Sequence, residues 1–92
     1  MPVKVLRYEP TPNPNAIKCV LSAKVADSSR SFRTAEAAAG EGGDPLAAAL
    51  FVVDGVAGVL LLNDWITVNK RPDATWPPIK KALEKALAAH TA

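Results

Sequence analysis

DPLAAALFVVDGVAGVLLLNDWITV, residues 44–68, sets a helix directly before a β-hairpin, and the rest of the fold is built around it. Asp44 is a favoured N-cap, because its carboxylate accepts from backbone N–H groups that the first helical turn leaves unpaired. Pro45 suits the first helical position. Asp54-Gly55 ends the helix. Leu46, Leu50 and Val53 fall on one stripe with Phe51 beside it, so this short helix must pack on a sheet. Val56 to Leu62 is a nearly continuous apolar run of strand length. Asn63-Asp64 supplies a turn, and Ile66-Thr67-Val68 resumes with alternation. Apolar residues at both parities place the first of these strands centrally, with contacts on both faces or one face incompletely covered.

Towards the N-terminus, Val3 to Glu9 reads as a strand and runs into Thr11-Pro12-Asn13-Pro14-Asn15. Each proline fixes its own φ and pushes the preceding residue out of the helical region, so this segment is a stiff, extended turn. A second strand is expected from Ala16 to Ala23, with Ile17, Cys19 and Leu21 on the core side and Lys18 on the wet side. From Asp27 to Gly43 the pattern dissolves into Ser, Arg, Ala, Glu and Gly, with Phe32 the one large apolar residue. An ordered patch near Phe32 followed by a mobile loop is expected there, since the Gly-Glu-Gly-Gly end disfavours any regular element.

Beyond the hairpin, Lys70 to Thr75 is a polar connector and a final helix spans Trp76 to Ala89, with Pro77 and Pro78 confined to its first turn. Trp76, Ile79, Leu83, Ala86 and Leu87 repeat at three- and four-residue spacing, while Lys80, Lys81, Glu84 and Lys85 turn mostly to water. The predicted order is β-β-α-β-β-α. It describes an α+β, two-layer domain over residues 1–92: a four-stranded sheet with two helices on one face and the other face uncovered.

The 92 residues allow one core, and 17 of the apolar residues are Ala, which buries little area. A large internal substrate cavity is therefore not expected. Eleven basic residues against nine acidic ones are scattered along the chain rather than gathered into a stripe with aromatics, which argues against a nucleic-acid partner. Apolar runs are too short to span a bilayer and the N-terminus lacks a secretory leader, so no membrane association is expected. A single cysteine excludes an intramolecular disulfide and favours a reducing, cytoplasmic setting.

Candidate chemistry is sparse, and no catalytic residue, metal site or resident cofactor is expected. Cys19 lies on the core side of its strand, as a small buried residue would, and a stable metal site needs several ligands or a symmetric dimer sharing one each. His90 stands close to the C-terminus with no sequence-local partner, and Asp44, Asp54 and Asp64 are explained by caps and turns. Asn13, Pro14 and Asn15, with Lys18 on the following strand, form the best candidate site. Two roles fit them: a rigid connector whose Asn side chains satisfy the turn backbone, or a stiff polar loop that presents fixed donors and acceptors to a partner.

Three segments together resemble the N-terminal domain of Nfu/NifU-type iron-sulfur scaffold proteins. They are Thr11-Pro-Asn-Pro-Asn15 with Lys18, Asp44-Pro-Leu-Ala47 with Leu50-Phe51 and Gly55-Val56, and Asp64-Trp-Ile-Thr-Val-Asn-Lys70 followed by Trp76. They occur in order and cover nearly the whole chain. In that family a second domain carries a Cys-x-x-Cys pair that binds the cluster. No such pair occurs in these residues, so the resemblance implies a stand-alone domain onto which no cluster ligand can be carried over. It further implies a non-catalytic accessory or interaction module in iron-sulfur cluster assembly or delivery, with assembly or client proteins as partners. Two alternatives are a homodimeric carrier of metal or cluster through paired Cys19 residues, and a small ligand-binding domain or enzyme.

Overall fold

In the computed structural model the described residues are 3–40 and 43–89, so His90 lies outside them. They form β1 (Val5–Pro10), β2 (Ala16–Leu21), β3 (Ala26–Phe32), α1 (Ala35–Ala39), α2 (Pro45–Phe51), β4 (Val56–Asn63), β5 (Trp65–Lys70) and α3 (Trp76–Ala89). One antiparallel sheet holds the strands in the order β1-β2-β5-β4-β3. Two hairpins, β1–β2 and β4–β5, lie side by side through β2 and β5, and β3 adds an outer edge.

The α+β class is as expected, but a five-stranded sheet and three helices replace the predicted four strands and two helices. The difference falls on residues 26–39, where the sequence shows no regular apolar period. β3 is an edge strand whose burial rises only at its end: Phe32 is in the core while Asp27, Ser28, Ser29 and Ser31 are exposed. It has no amphipathic period because its backbone ladder to β4, rather than a buried side-chain face, holds it. Its polar residues also blunt an edge that would otherwise template pairing with another chain. α1 replaces part of the expected mobile loop. Thr34 caps it by accepting from the Ala37 N–H at 3.1 Å, and Ala38 enters the core.

Local sequence accounts for the remaining elements. Asp44 Oδ1 accepts from Leu46 N at 2.9 Å and Ala47 N at 3.3 Å, so the predicted cap forms ahead of α2. Arg30 of β3 reaches this cap, donating to the Gly43 carbonyl at 2.8 Å with its other terminal nitrogen 3.7 Å from Asp44 Oδ2. Gly55 has φ of 97°, and a Cβ there would lie 3.0 Å from both Ala74 and Ile79. Only glycine combines that backbone conformation with so close an approach of α3. Asn63, at φ 50°, makes the β4–β5 turn.

α2 and α3 pack on each other, α1 packs on α2, and the apolar stripes share one sheet face. Leu46 and Leu50 of α2 and Ile79, Leu83 and Leu87 of α3 meet Ile17, Cys19, Leu21, Val59, Leu61, Ile66 and Val68 of the sheet. Both predicted helices thus lie on the same side, as the two stripes require. Among the described residues the other face of the sheet carries no helix. β4 lies inside the sheet, with Val59 and Leu61 buried under the helices and Leu60 and Leu62 half-buried on the open side, which explains its apolar residues at both parities.

Candidate functional site

The Thr11–Asn15 turn closes on itself before it meets anything else. Thr11 Oγ1 accepts from Asn13 N at 3.2 Å and lies within donating distance of the Asn13 and Ala16 carbonyls. Asn13 Oδ1 accepts from Asn15 N at 2.9 Å, an Asx turn of the kind that asparagine makes readily, and Ala16 N donates to Asn13 O at 3.0 Å. With two prolines between these bonds, the backbone has little freedom left to lose on binding.

Two residues from distant parts of the chain then fix the turn to the body. Lys70, at the end of β5, donates from Nζ to Asn15 Oδ1 at 2.9 Å, and its backbone N–H donates to the Asn15 carbonyl at 2.7 Å. The indole N–H of Trp76, at the start of α3, donates to Pro14 O at 3.3 Å, and the Lys70 ammonium lies 5.8 Å from the Trp76 ring centroid. Asn13 and Pro14 remain exposed, while Asn15 is half-buried by these contacts.

Lys18 stands apart from this joint. It projects from β2 on the open face, opposite Glu9 of β1, with Nζ 3.6 Å from Glu9 Oε1 and 4.7 Å from the Trp65 ring centroid. Arg7 donates to Glu9 at 2.8 Å, and this bond, reinforced by the Lys18 charge, holds the Glu9 carboxyl below its usual range. The structure therefore gathers Asn13, Pro14 and Asn15 around Lys70 and Trp76, and sets Lys18 in a separate cluster with Glu9 across β1 and Trp65 diagonally on β5. Lys70, Trp76, Glu9 and Trp65 were not expected at the site. Lys70 reads as connector, Trp76 as part of a core stripe and Glu9 as the end of a strand, and only the folded register joins them to it.

Cys19 sits on the opposite side of the same strand, with 0% of its surface exposed. Burial pushes its thiol up to about 12, Glu84 adding to the effect and Lys80 opposing it. Across β1, Tyr8 donates to Glu84 at 2.7 Å beneath the Lys80 ammonium, and burial together with that bond raises the Tyr8 hydroxyl as well. A thiolate at this position would be both desolvated and enclosed. Among the described residues no group of three or more His, Cys, Asp or Glu gathers where a metal ion could be held.

Two measurements check this. In the folded protein, labelling of Cys19 by a thiol reagent should be slow and should accelerate on unfolding, and Cys19→Ala should cost about 1 kcal/mol. Because the folded thiol holds its proton to higher pH than the unfolded one, the unfolded state deprotonates first. Stability should therefore fall as pH rises from about 9 towards 12, with a shallower slope in Cys19→Ala. Fast labelling of the native state would contradict the burial.

Asp54 and Asp73 flank Arg71 at 3.1 and 3.7 Å on the rim of an exposed notch. Their charges are answered by that guanidinium, and an exposed ion network of this sort needs no catalytic explanation. No helix among the described residues is long and apolar enough to cross a membrane.

Comparison with known proteins gives the same frame. The family described as scaffold protein Nfu/NifU N terminal matches residues 6–92. A protein of Staphylococcus haemolyticus called conserved virulence factor C is 31% identical over 86 residues, covering 92% of this chain but 22% of its own length. Its namesake in Staphylococcus aureus strain USA300 is 33% identical over 89 residues, covering 91% and 23%. The chain thus spans less than a quarter of these curated relatives. Among solved structures, protein SAV1430 of Staphylococcus aureus superposes with a TM-score of 0.74 at 24% identity, covering 90% of this chain and 96% of that one. A NifU-like protein of Saccharomyces cerevisiae superposes with a TM-score of 0.71 at 22% identity, covering 89% and 73%. These superpositions show a shared fold, and with the family match spanning nearly every residue, this chain belongs to the Nfu/NifU N-terminal scaffold family.

Proposed function

We propose that residues 1–92 form a single non-catalytic interaction module that serves iron-sulfur cluster assembly or delivery in the cytoplasm. It binds assembly or client proteins through the open sheet face together with Asn13, Pro14, Asn15 and Lys18. The observation that carries this reading is the contrast between the two faces. The one cysteine, Cys19, is sealed in the core beneath α3, while the opposite face has no helix among the described residues and presents Lys18 beside Trp65. A lysine over an indole and a turn already tied down by hydrogen bonds within itself and to Lys70 and Trp76 can meet a partner with little further ordering. The same burial disfavours a dimer that bridges a metal through paired Cys19 residues, since both strands would have to leave their cores first.

The test is Lys18→Glu, read in two ways together. Partner capture should fall by about tenfold or more, because a charge on the open face is reversed. Stability should change by only about 1 kcal/mol, from loss of the Trp65 contact and from setting two carboxylates opposite each other on β1 and β2. Unchanged capture would remove Lys18 from the binding surface. A much larger loss of stability would make its role structural.

A further inference from the structure

The open face has relief that the candidate turn does not explain. Between β3 and β5 lies a shallow depression of about 480 Å³, with Gly58 and Leu60 of β4 as its floor. Arg33 and Ser31 form one wall, and Thr67 and Asn69 form the other. The depression exists because Gly58 has no side chain: a Cβ there would enter it and lie 3.2 Å from Asn69 Nδ2. Asn69 pairs across the sheet with both Gly58 and Ala16, so the depression shares a row with the first residue after the Asn13–Asn15 turn.

Its chemistry has one sign. Arg33 supplies a guanidinium, Ser31 and Thr67 supply hydroxyls, and Asn69 supplies an amide, while no carboxylate lines the depression among the described residues. Unlike Arg7 and Lys18, which share Glu9, Arg33 has no ion-pair partner among the described residues. A planar guanidinium beside hydroxyl and amide donors suits a carboxylate, which it can engage through two parallel hydrogen bonds. Leu60 and Leu62 continue from the depression along β4, and Trp65 pairs with Leu62 from β5, so an apolar strip runs on from the polar end.

We propose that this depression receives a carboxylate side chain from an extended, acidic segment of a partner protein, whose neighbouring apolar side chains lie along Leu60, Leu62 and Trp65. This rests on reading the domain as an interaction module and names the chemistry of the segment it takes. The strip selects a peptide over a compact anion, because a small anion would satisfy Arg33 and leave the apolar row unused.

The probes are a short synthetic peptide of the pattern Glu-Ser-Leu-Ser-Leu, whose Glu and Leu side chains fall on one face when extended, its counterpart with Lys in place of Glu, and inorganic phosphate, each applied to the whole chain in a fluorescence polarisation assay. The acidic peptide should bind at least about tenfold more tightly than the basic one, and Arg33→Glu should weaken it by about tenfold or more, as expected for a lost charge-assisted contact. Arg33→Lys should recover part of the loss and Gly58→Ala, which fills the depression, should weaken binding without reversing any charge. Arg33 is exposed, so its variants should keep the wild-type unfolding midpoint. Equal binding of the two peptides, or an unchanged affinity in Arg33→Glu, would overturn the site. Phosphate competing as well as the acidic peptide would reduce it to a general anion site, and self-association lost in Arg33→Glu would make a second copy the occupant. Either result overturns the proposal. The pathway reading fails separately: peptide binding that depends on Arg33, with no iron-sulfur protein captured, keeps this site and removes that pathway.

Discussion

Leu61→Ala should lower the free energy of unfolding by about 2–5 kcal/mol, the largest single loss expected in this protein. Leu61 is fully buried at the middle of β4, paired with Ile66 of β5 on one side and Arg30 of β3 on the other, and it meets the helix layer above. Truncation removes its transfer free energy and leaves a cavity that two neighbouring strands prevent from collapsing. Since a small domain has only about 5–15 kcal/mol of stability, the variant should unfold at least about 10 °C below wild type. Its neighbour Leu60 faces the open side and is half-buried, so Leu60→Ala should cost clearly less. Denaturant titration of both variants tests the assignment of the two faces. Equal costs would mean that the open face is covered.

Phe32→Ala should cost about 3 kcal/mol and should act locally. Phe32 is the one strongly buried residue of β3, 8% exposed, and Arg30 lies 5.8 Å from its ring centroid. Losing the ring should release β3 from β4, so hydrogen exchange of amides in 30–32 should quicken far more than exchange in β2 and β5. If protection falls evenly across the whole sheet, β3 is part of the central cooperative unit and not an appended edge.

This appended edge is also where the sequence is least informative. The β4–β5 hairpin, α2 and α3 follow from caps, turns and apolar spacing, because each of those elements buries a side-chain face and so shows a period. β3 buries little except Phe32, and its position depends on a backbone ladder to a strand that lies more than twenty residues later. Nothing local in Ala26–Phe32 encodes that pairing. α1 is short and depends on the Thr34 cap and on contact with α2, and alanine-rich sequence alone does not separate such a turn of helix from loop.

The site divides in the same way. The stiffness of Thr11–Asn15 and the outward direction of Lys18 can be read directly, since prolines and strand parity determine them. That Asn15 is held by Lys70, that Pro14 accepts from Trp76 and that Lys18 shares Glu9 with Arg7 depend on contacts across the sheet and onto α3. The same holds for Arg33, which lines one depression with Gly58 and Asn69 only once β3 has joined β4.

The interaction role is tested most directly by affinity capture from native cytosol, with the wild-type chain and Lys18→Glu as paired baits and the retained proteins identified and quantified. Proteins of iron-sulfur cluster assembly, or proteins that receive clusters, should be enriched on the wild-type bait and reduced by about tenfold or more on the variant. Retention of no such protein, or equal retention by both baits, would contradict a module that joins this pathway through its open face.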